Sequence, residues 1–118
     1  MTVLDNIVTG LKTAGYKVNL SPQEKLATKE VVITLDSVEI EKETAVSYFM
    51  DSTYAINFVS DTVTDIAVKI PAIILIIEAA AVGTMRDFQA ITPTIDRQDG
   101  TQYMVAIKFT YREMINIV

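Results

Sequence analysis

Cysteine and histidine are both absent from this sequence of 118 residues. Without cysteine, the chain has no disulfide framework, no thiolate nucleophile and no thiolate ligand for a metal ion. Without histidine, it has no Ser-His or Cys-His catalytic pair, no histidine ligand for zinc, and no side chain that ordinarily titrates near neutral pH. No other catalytic pattern is present, so we expect a protein that is not an enzyme and that holds no metal ion or cofactor.

Basic clusters and long apolar runs are also lacking. Ten basic and fifteen acidic residues give a net charge of −5, with the basic residues scattered, whereas strong binding to nucleic-acid phosphates needs clustered Lys and Arg. The richest apolar segment, Pro71 to Val82, is shorter than the about 20 residues of a membrane-spanning helix. Residues Met1 to Gly15 lack the pattern of a secretory signal. We therefore expect no membrane association and a product that stays in the cytoplasm where it is made.

Apolar residues make up half of the sequence, and the mean hydropathy of +0.32 is high for a chain without a predicted membrane span. The length fits a single domain, residues 1–118, and a domain of this size hides about two thirds of the surface that its unfolded chain exposes. The chain can therefore build a sizeable core without disulfides.

A first amphipathic helix is predicted from about Val3 to Ala14. Its apolar face consists of Leu4, Ile7, Val8 and Leu11. Gly15 stands where a helix commonly ends in a left-handed residue, and alternating apolar residues at 16–20 predict a short strand. The polar segment Ser21 to Lys29 is predicted to be a mobile loop.

Three alternating segments predict an antiparallel meander from Val31 to Val59. In the first segment the alternation shifts phase across Asp36-Ser37, which predicts a bulge or bend inside one long strand. The second segment, Ala45 to Met50, is apolar on both faces. We predict that Asp51-Ser52 forms a turn that separates it from a third strand, residues 54–58.

A long helix is predicted over Thr62 to Val82, capped by Ser60 or Asp61 and ended by Gly83. Pro71 lies inside this segment. Proline removes one helical hydrogen bond and disfavours the helical conformation in the residue before it, which predicts a kink or two helices that meet there. The β-branched residues that follow leave a buried strand as the alternative.

Alternation is most regular near the end of the chain. One face of the predicted strand carries, in order, Tyr103, Val105, Ile107, Phe109 and Tyr111. With residues 88–95 this strand predicts a hairpin whose three-residue loop, Gln98 to Gly100, pairs Ile95 with Tyr103 and Pro93 with Val105. Helix, strands, helix and hairpin define an α+β fold in which the helices cover one face of a mostly antiparallel sheet.

Glu39, Glu41 and Glu43 alternate along a predicted strand and would form one row of carboxylates. The simpler interpretation is a solvated strand face. In a ring of subunits, however, the same row would coat a channel and repel the phosphates of passing DNA, so that the polymer slides without sticking.

The apolar excess is concentrated at residues 45–50 and at the C-terminus, where few polar residues are present to be solvated. The residues that we expect at a subunit interface are Val46, Tyr48, Phe49, Met50, Met114, Ile115, Ile117 and Val118. Large exposed apolar patches are uncommon on soluble monomers, so other copies of the chain are expected to cover them. The alternative is a single core that contains both segments.

The order of these elements resembles that of the tail terminator, or tail completion, proteins of long-tailed bacteriophages. The matching pieces are the opening helix Leu4 to Leu11, the meander carrying VVITLDSVEIE and YAINFV, the long helix, and the closing hairpin with QYMVAIKFTYR. The resemblance covers nearly the whole chain and rests on architecture.

This resemblance implies a structural subunit of a hexameric ring. Such a ring caps the last ring of the tail tube, stops its polymerisation and docks to the head. The implied partners are other copies of the chain, the tail tube protein and a head-tail connector protein. The implied location is the tail end of the virion, with DNA passing through the channel without specific binding.

Three alternatives remain open. Another head-tail joining protein, such as a neck adaptor or a stopper, also forms rings. A small ligand-binding or enzymatic α+β domain would instead use pocket carboxylates such as Asp61 or Glu78, although the absence of His and Cys weighs against it. The third is a regulator that binds a host protein through an apolar edge.

Overall fold

A computed structural model of the chain describes residues 3–20, 29–80, 87–98 and 102–116, with the backbone alone at 87–92, 96–98 and 116. The elements are α1 (Val3–Thr13), β1 (Lys17–Asn19), β2 (Glu30–Lys42), β3 (Ser47–Ser60), α2 (Val63–Ala79), β4 (Asp87–Gln98) and β5 (Gln102–Asn116). The strands form a five-stranded sheet in the order β1-β2-β3-β5-β4. The pair β1 and β2 is parallel and the other pairs are antiparallel. The predicted α+β fold class is confirmed.

Both helices pack on the same face of the sheet. The helix side chains that are buried against the sheet are Val3, Ile7, Leu11, Ile66, Ile73 and Ile77. The sheet residues in the same core include Val31, Ile33, Ile56, Phe58, Val105, Ile107 and Phe109. Burying one such side chain contributes about 1.5–3 kcal/mol, so this layer holds the fold together. The predicted alternation of the last strand is also confirmed, because its apolar face points into this core.

The helix boundaries follow local chemistry. α1 ends at Thr13, and Gly15 has a φ of 96°, a conformation that glycine adopts without strain. α2 is a single helix that includes Pro71, so neither two helices nor a buried strand forms there. Its N-cap is Thr62, whose hydroxyl accepts the backbone N–H of Asp65 at 3.1 Å. The cap thus lies later than the predicted Ser60 or Asp61, because Thr62 has the extended backbone of a cap and its side chain reaches the N–H of Asp65.

β3 corrects the prediction of two strands separated by a turn. It runs without a break from Ser47 to Ser60, so the predicted turn at Asp51-Ser52 is wrong. Asp51 pairs with Glu39 on one side and with Arg112 on the other. Because β3 is a central strand, both neighbours satisfy its backbone groups, and this pairing outweighs the turn preference of Asp and Ser.

The register of the C-terminal hairpin also differs from the prediction. Ile95 lies opposite Val105, and the ladder continues to the pair Gln98 and Gln102. Each partner is therefore two residues further along the chain than predicted, because Gln98 belongs to the ladder instead of the loop. A shift of two residues keeps every side chain on its face, whereas a shift of one would exchange the faces.

β2 contains the predicted bulge, since its pairing with β3 changes register between Leu35 and Ser37. Beyond this point the sheet extends past the helices, and the molecule measures 54 × 25 × 22 Å. The predicted mobile loop, apart from Lys29, and the predicted stop at Gly83 lie outside the described residues.

Candidate assembly surfaces

One end of the sheet projects beyond the helices as an arm. We define the sheet arm as residues 35–53, which comprise the outer parts of β2 and β3 and the turn between them, together with residues 112–116 of β5. In β2, Val31 to Ile33 are buried, whereas every residue from Leu35 to Lys42 is exposed. The arm therefore begins where the helix layer ends.

The side of the arm that faces the same way as the helices is mostly apolar, with Lys42 opposite Tyr48 and Glu113 opposite Met50 as its charged residues. Cross-strand pairs place Ile40 beside Met50, and Tyr48 beside Ile115, and alternation along β3 puts them on the side of its core residues. Leu35 is 54% exposed and Ile40 is 64% exposed. We name the following set the arm's apolar face: Leu35, Val38, Ile40, Tyr48, Met50 and Ile115. The apolar side of the core thus continues into the arm, where the helices do not cover it.

The opposite side of the arm carries a network of charges. Arg112 donates from Nε to Oδ1 of Asp51 at 2.8 Å and from Nη2 to Oδ2 at 3.0 Å. The same Nη2 lies 3.8 Å from a carboxylate oxygen of Glu41, and the guanidinium lies over the ring of Phe49, 4.7 Å from its centroid. The hydrogen bonds from Arg112 hold the pKa of Asp51 below its ordinary value. We call this side the charged face of the arm.

The predicted acidic row is divided in the structure. Glu39 and Glu41 lie in β2 on the charged face, with Glu39 directly opposite Asp51. Glu43 follows the last residue of β2 and belongs to the turn, where it accepts a hydrogen bond from the Ser47 hydroxyl at 3.4 Å. The prediction of three carboxylates along one strand is therefore wrong for Glu43, because the strand ends before it. That these residues face a channel remains a prediction.

The predicted interface residues divide between the two sides of the arm. Tyr48, Met50 and Ile115 belong to the arm's apolar face, whereas Phe49 and Met114 are paired on the charged face. Val46 lies in the turn and is 46% exposed, and Ile117 and Val118 lie outside the described residues. The predicted apolar character on both sides of residues 45–50 is present, and a role in assembly remains a prediction.

A second exposed apolar surface was missed by sequence reasoning. It lies on the side of α2 that points away from the core, where Val63, Val68 and Leu75 are each about two thirds exposed, at 67%, 66% and 68%. We define the outward face of α2 as Val63, Ala67, Val68, Pro71, Ala72 and Leu75. The sequence contained a signal for this surface, because apolar residues all round a helix indicate that every side of the helix is buried. In the structure only one side of α2 lies in the core.

A polar cluster lies where β3 meets α2. The Ser60 hydroxyl donates to Asp65 at 2.6 Å, and Asp65 lies 3.0 Å from the Lys69 ammonium, which in turn lies 5.7 Å from the centroid of the Phe58 ring. The hydrogen bond from Ser60, and after it that from Lys69, holds the pKa of Asp65 below its ordinary value. Ser60 is 1% exposed, so its hydroxyl is inaccessible to a substrate. The cluster ties the start of α2 to the sheet.

The carboxylates of the enzymatic alternative do not converge. Asp61 precedes α2 and Glu78 lies near its end, a separation of about 25 Å along a helix. Within residues 3–20, 29–80, 87–98 and 102–116, no group of acidic side chains is placed to hold a metal ion. The helices in this part of the chain are also too short or too polar to cross a bilayer.

Comparisons with known proteins give distant structural likenesses. No protein-family model matches the chain, and no curated protein matches it. Among solved structures, it is similar to a chain of the "Virion of native gene transfer agent (GTA) particle", with 11% sequence identity and a TM-score of 0.48, over 94% of this chain and 93% of that chain.

Proposed function

We propose that this chain is a structural subunit of a phage-like virion, a tail terminator that forms a hexameric ring on the end of the tail tube. The ring stops polymerisation of the tube protein and docks to the head-tail connector protein. The arm's apolar face carries this proposal, because it leaves large side chains in water that a second subunit would cover.

The two sides of the arm suit different environments in such a ring. The apolar side belongs at a subunit interface. The charged side has an excess of carboxylates, since Glu39, Glu41 and Asp51 face the single guanidinium of Arg112. A negative surface repels DNA phosphates, so this side is the one that we place toward the channel.

The mechanism that we propose is geometric and includes no bond chemistry. A ring has two different ends. One end fits the last ring of the tube, and the other end lacks the surface on which a further ring of tube protein could bind. Growth ends when such a ring binds, because the heterologous contact between tube rings cannot be repeated beyond it. Interface area and shape complementarity carry this function.

The first experiment asks whether rings form. The purified chain is examined by light scattering after size exclusion and by negative-stain imaging over a wide range of concentrations. Six-membered rings with an open centre are expected. A compact monomer at every concentration would contradict the proposal.

The second experiment separates the terminator role from other neck proteins. A stop codon is placed early in the gene, within the virus or virus-like element that encodes it, and particles are imaged. A terminator predicts tail tubes of uncontrolled length without heads. Tails of normal length that fail to join filled heads would indicate a neck adaptor or stopper instead.

A further inference from the structure

No other part of the chain that the structure describes covers the outward face of α2. Helices at a protein surface usually place charged or polar residues toward water, whereas the side chains here are Val63, Val68 and Leu75, separated by small residues and Pro71. Val68, Pro71 and Leu75 follow one another at spacings of three and four residues, which lines them up along one side. Such a stripe is suited to packing against another apolar surface.

We propose that the outward face of α2 in one subunit covers the arm's apolar face of the next subunit. This inference rests on the proposed ring and names the contact that closes it. The two surfaces match in kind, since the chain already covers one half of this side of the sheet with its own α2 through Ile66, Ile73 and Ile77. The neighbour's helix would extend the same helix layer over the other half.

The two surfaces also match in length. α2 has 17 residues, which corresponds to about 25 Å at 1.5 Å per residue. The exposed part of β2, from Leu35 to Lys42, covers about 26 Å at 3.3 Å per residue. One helix laid along the arm would therefore cover it from the bulge to the tip.

Charges give the contact a direction. Lys42 is exposed at the tip of the arm and lies opposite Tyr48, on the apolar side. Glu78 is exposed near the end of α2, whose last turn contains no basic residue. A cation is favourable near a helix C-terminus and beside a carboxylate. We therefore place the C-terminal end of the neighbour's α2 at the tip of the arm.

The contact joins two different surfaces and so is heterologous. Each subunit offers one arm and one outward helix face, and a chain of such contacts either closes into a ring or continues as a filament. A heterologous contact also has a property that a symmetric one lacks. Two variants, each damaged on a different surface, can still form one intact contact with each other.

This property provides the test. Leu75→Glu damages the helix face and leaves the arm intact, whereas Ile40→Glu damages the arm and leaves the helix face intact. Leu20→Glu is the matched control, because Leu20 is 61% exposed and belongs to neither surface. Each variant is checked for folding by urea denaturation, and its association is measured by sedimentation alone and in an equimolar mixture.

We expect each of the two variants to be monomeric, with self-association weakened on the order of a hundredfold, as for central interface residues. Their mixture is expected to form a dimer and nothing larger, and the Leu20→Glu control to assemble as the unmodified chain does. If both variants assemble normally, or if they fail to complement each other, the proposed contact is overturned. Rings that persist in Leu75→Glu would overturn the contact and leave the proposed function standing, whereas a monomeric unmodified chain would contradict both.

A charge exchange tests the direction of the contact. Lys42→Glu and Glu78→Lys are each expected to weaken association about tenfold, the scale of one favourable charge pair. The double variant is expected to restore it. Additive losses in the double variant would show that these side chains do not meet.

Discussion

The two halves of the sheet have the same alternation and different surroundings. In β2, Ile33 is 3% exposed under the helices, whereas Ile40 on the same side of the strand is 64% exposed. Alternation therefore predicts which way a side chain points and does not predict whether anything covers it. Whether the helices cover a whole strand depends on the length of the helix relative to that of the strand. A strand of 14 residues such as β3 extends about 46 Å, and a helix of 17 residues such as α2 extends about 25 Å.

The largest difference between the halves should appear in truncation of apolar side chains. Phe58 is fully buried, and Phe58→Ala is expected to lower the free energy of unfolding by about 3–5 kcal/mol. Ile40→Ala is expected to cost less than about 0.5 kcal/mol when the chain is diluted to the monomer. Urea denaturation at low concentration measures both. Equal losses would show that the arm is covered within one subunit.

The next largest effect concerns the contact between the two helices above the covered half. A Cβ atom on Gly10 would lie 2.7 Å from Cγ2 of Ile76, and the β-branched Ile76 has little freedom to move. Gly10→Val is expected to lower the free energy of unfolding by about 1–3 kcal/mol. Ile76→Ala in the same chain should recover part of this loss by making room. The matched control is Thr9→Val on the exposed side of α1, for which only a few tenths of a kcal/mol are expected, roughly the difference in helix propensity.

A smaller and pH-dependent effect is expected where β3 meets α2. Ser60→Ala removes the hydrogen bond to Asp65 and is expected to cost about 1 kcal/mol near pH 6. The pKa of Asp65 is lowered from 3.8 in the folded protein, so its stabilisation is present above pH 3.8 and is lost as the pH falls through the lowered value. The difference between the unmodified chain and Ser60→Ala should therefore shrink in acid. A difference that stays constant from pH 6 to about pH 2 would contradict this origin.

The smallest effect should be confined to the arm. Arg112→Lys replaces a two-point contact with Asp51 by a point charge and is expected to cost about 0.5 kcal/mol, as for partly exposed ion pairs. Hydrogen exchange should increase in residues 47–53 and stay unchanged around Phe58. Lys108→Gln is the comparison, because Lys108 lies 3.3 Å from Asp36 and has a more exposed side chain. Faster exchange throughout the sheet would show that the arm and the core unfold as one unit.

Much of the fold was predictable because local signals and tertiary contacts agree. Helix α1, the bulge in β2 and the buried side of β5 each follow from spacing alone, and each is present. The break that was predicted at Asp51-Ser52 arises from residue preferences that ignore cross-strand partners. Arg112 lies far from Asp51 in the sequence and Glu39 lies across a turn from it, and their strands pair with β3 on both sides of Asp51.

The candidate surfaces were predictable only in part. Residues 45–50 stand out in the sequence because both sides are apolar, and the structure leaves them partly exposed at the arm. The outward face of α2 was hidden because Val68 and Leu75 look like core residues in an apolar helix. A comparison of predicted lengths would have revealed the uncovered arm, but the false turn at Asp51-Ser52 made β3 look shorter than the helix.

The irregular pairing between Leu35 and Ser37 sets the polarity of everything that follows it in β2. It inserts one residue into the strand. As a result Val38 and Ile40, and not Glu39, lie on the same side of the sheet as Ile33. Loss of Asp36 alone would remove the extra residue and leave a regular ladder, in which Leu35 and Val38 are two positions apart and Val38 and Ile40 still lie on the side of Ile33. A codon deletion at this place would thus straighten the strand and remove the ion pair between Asp36 and Lys108, with both faces of the arm unchanged.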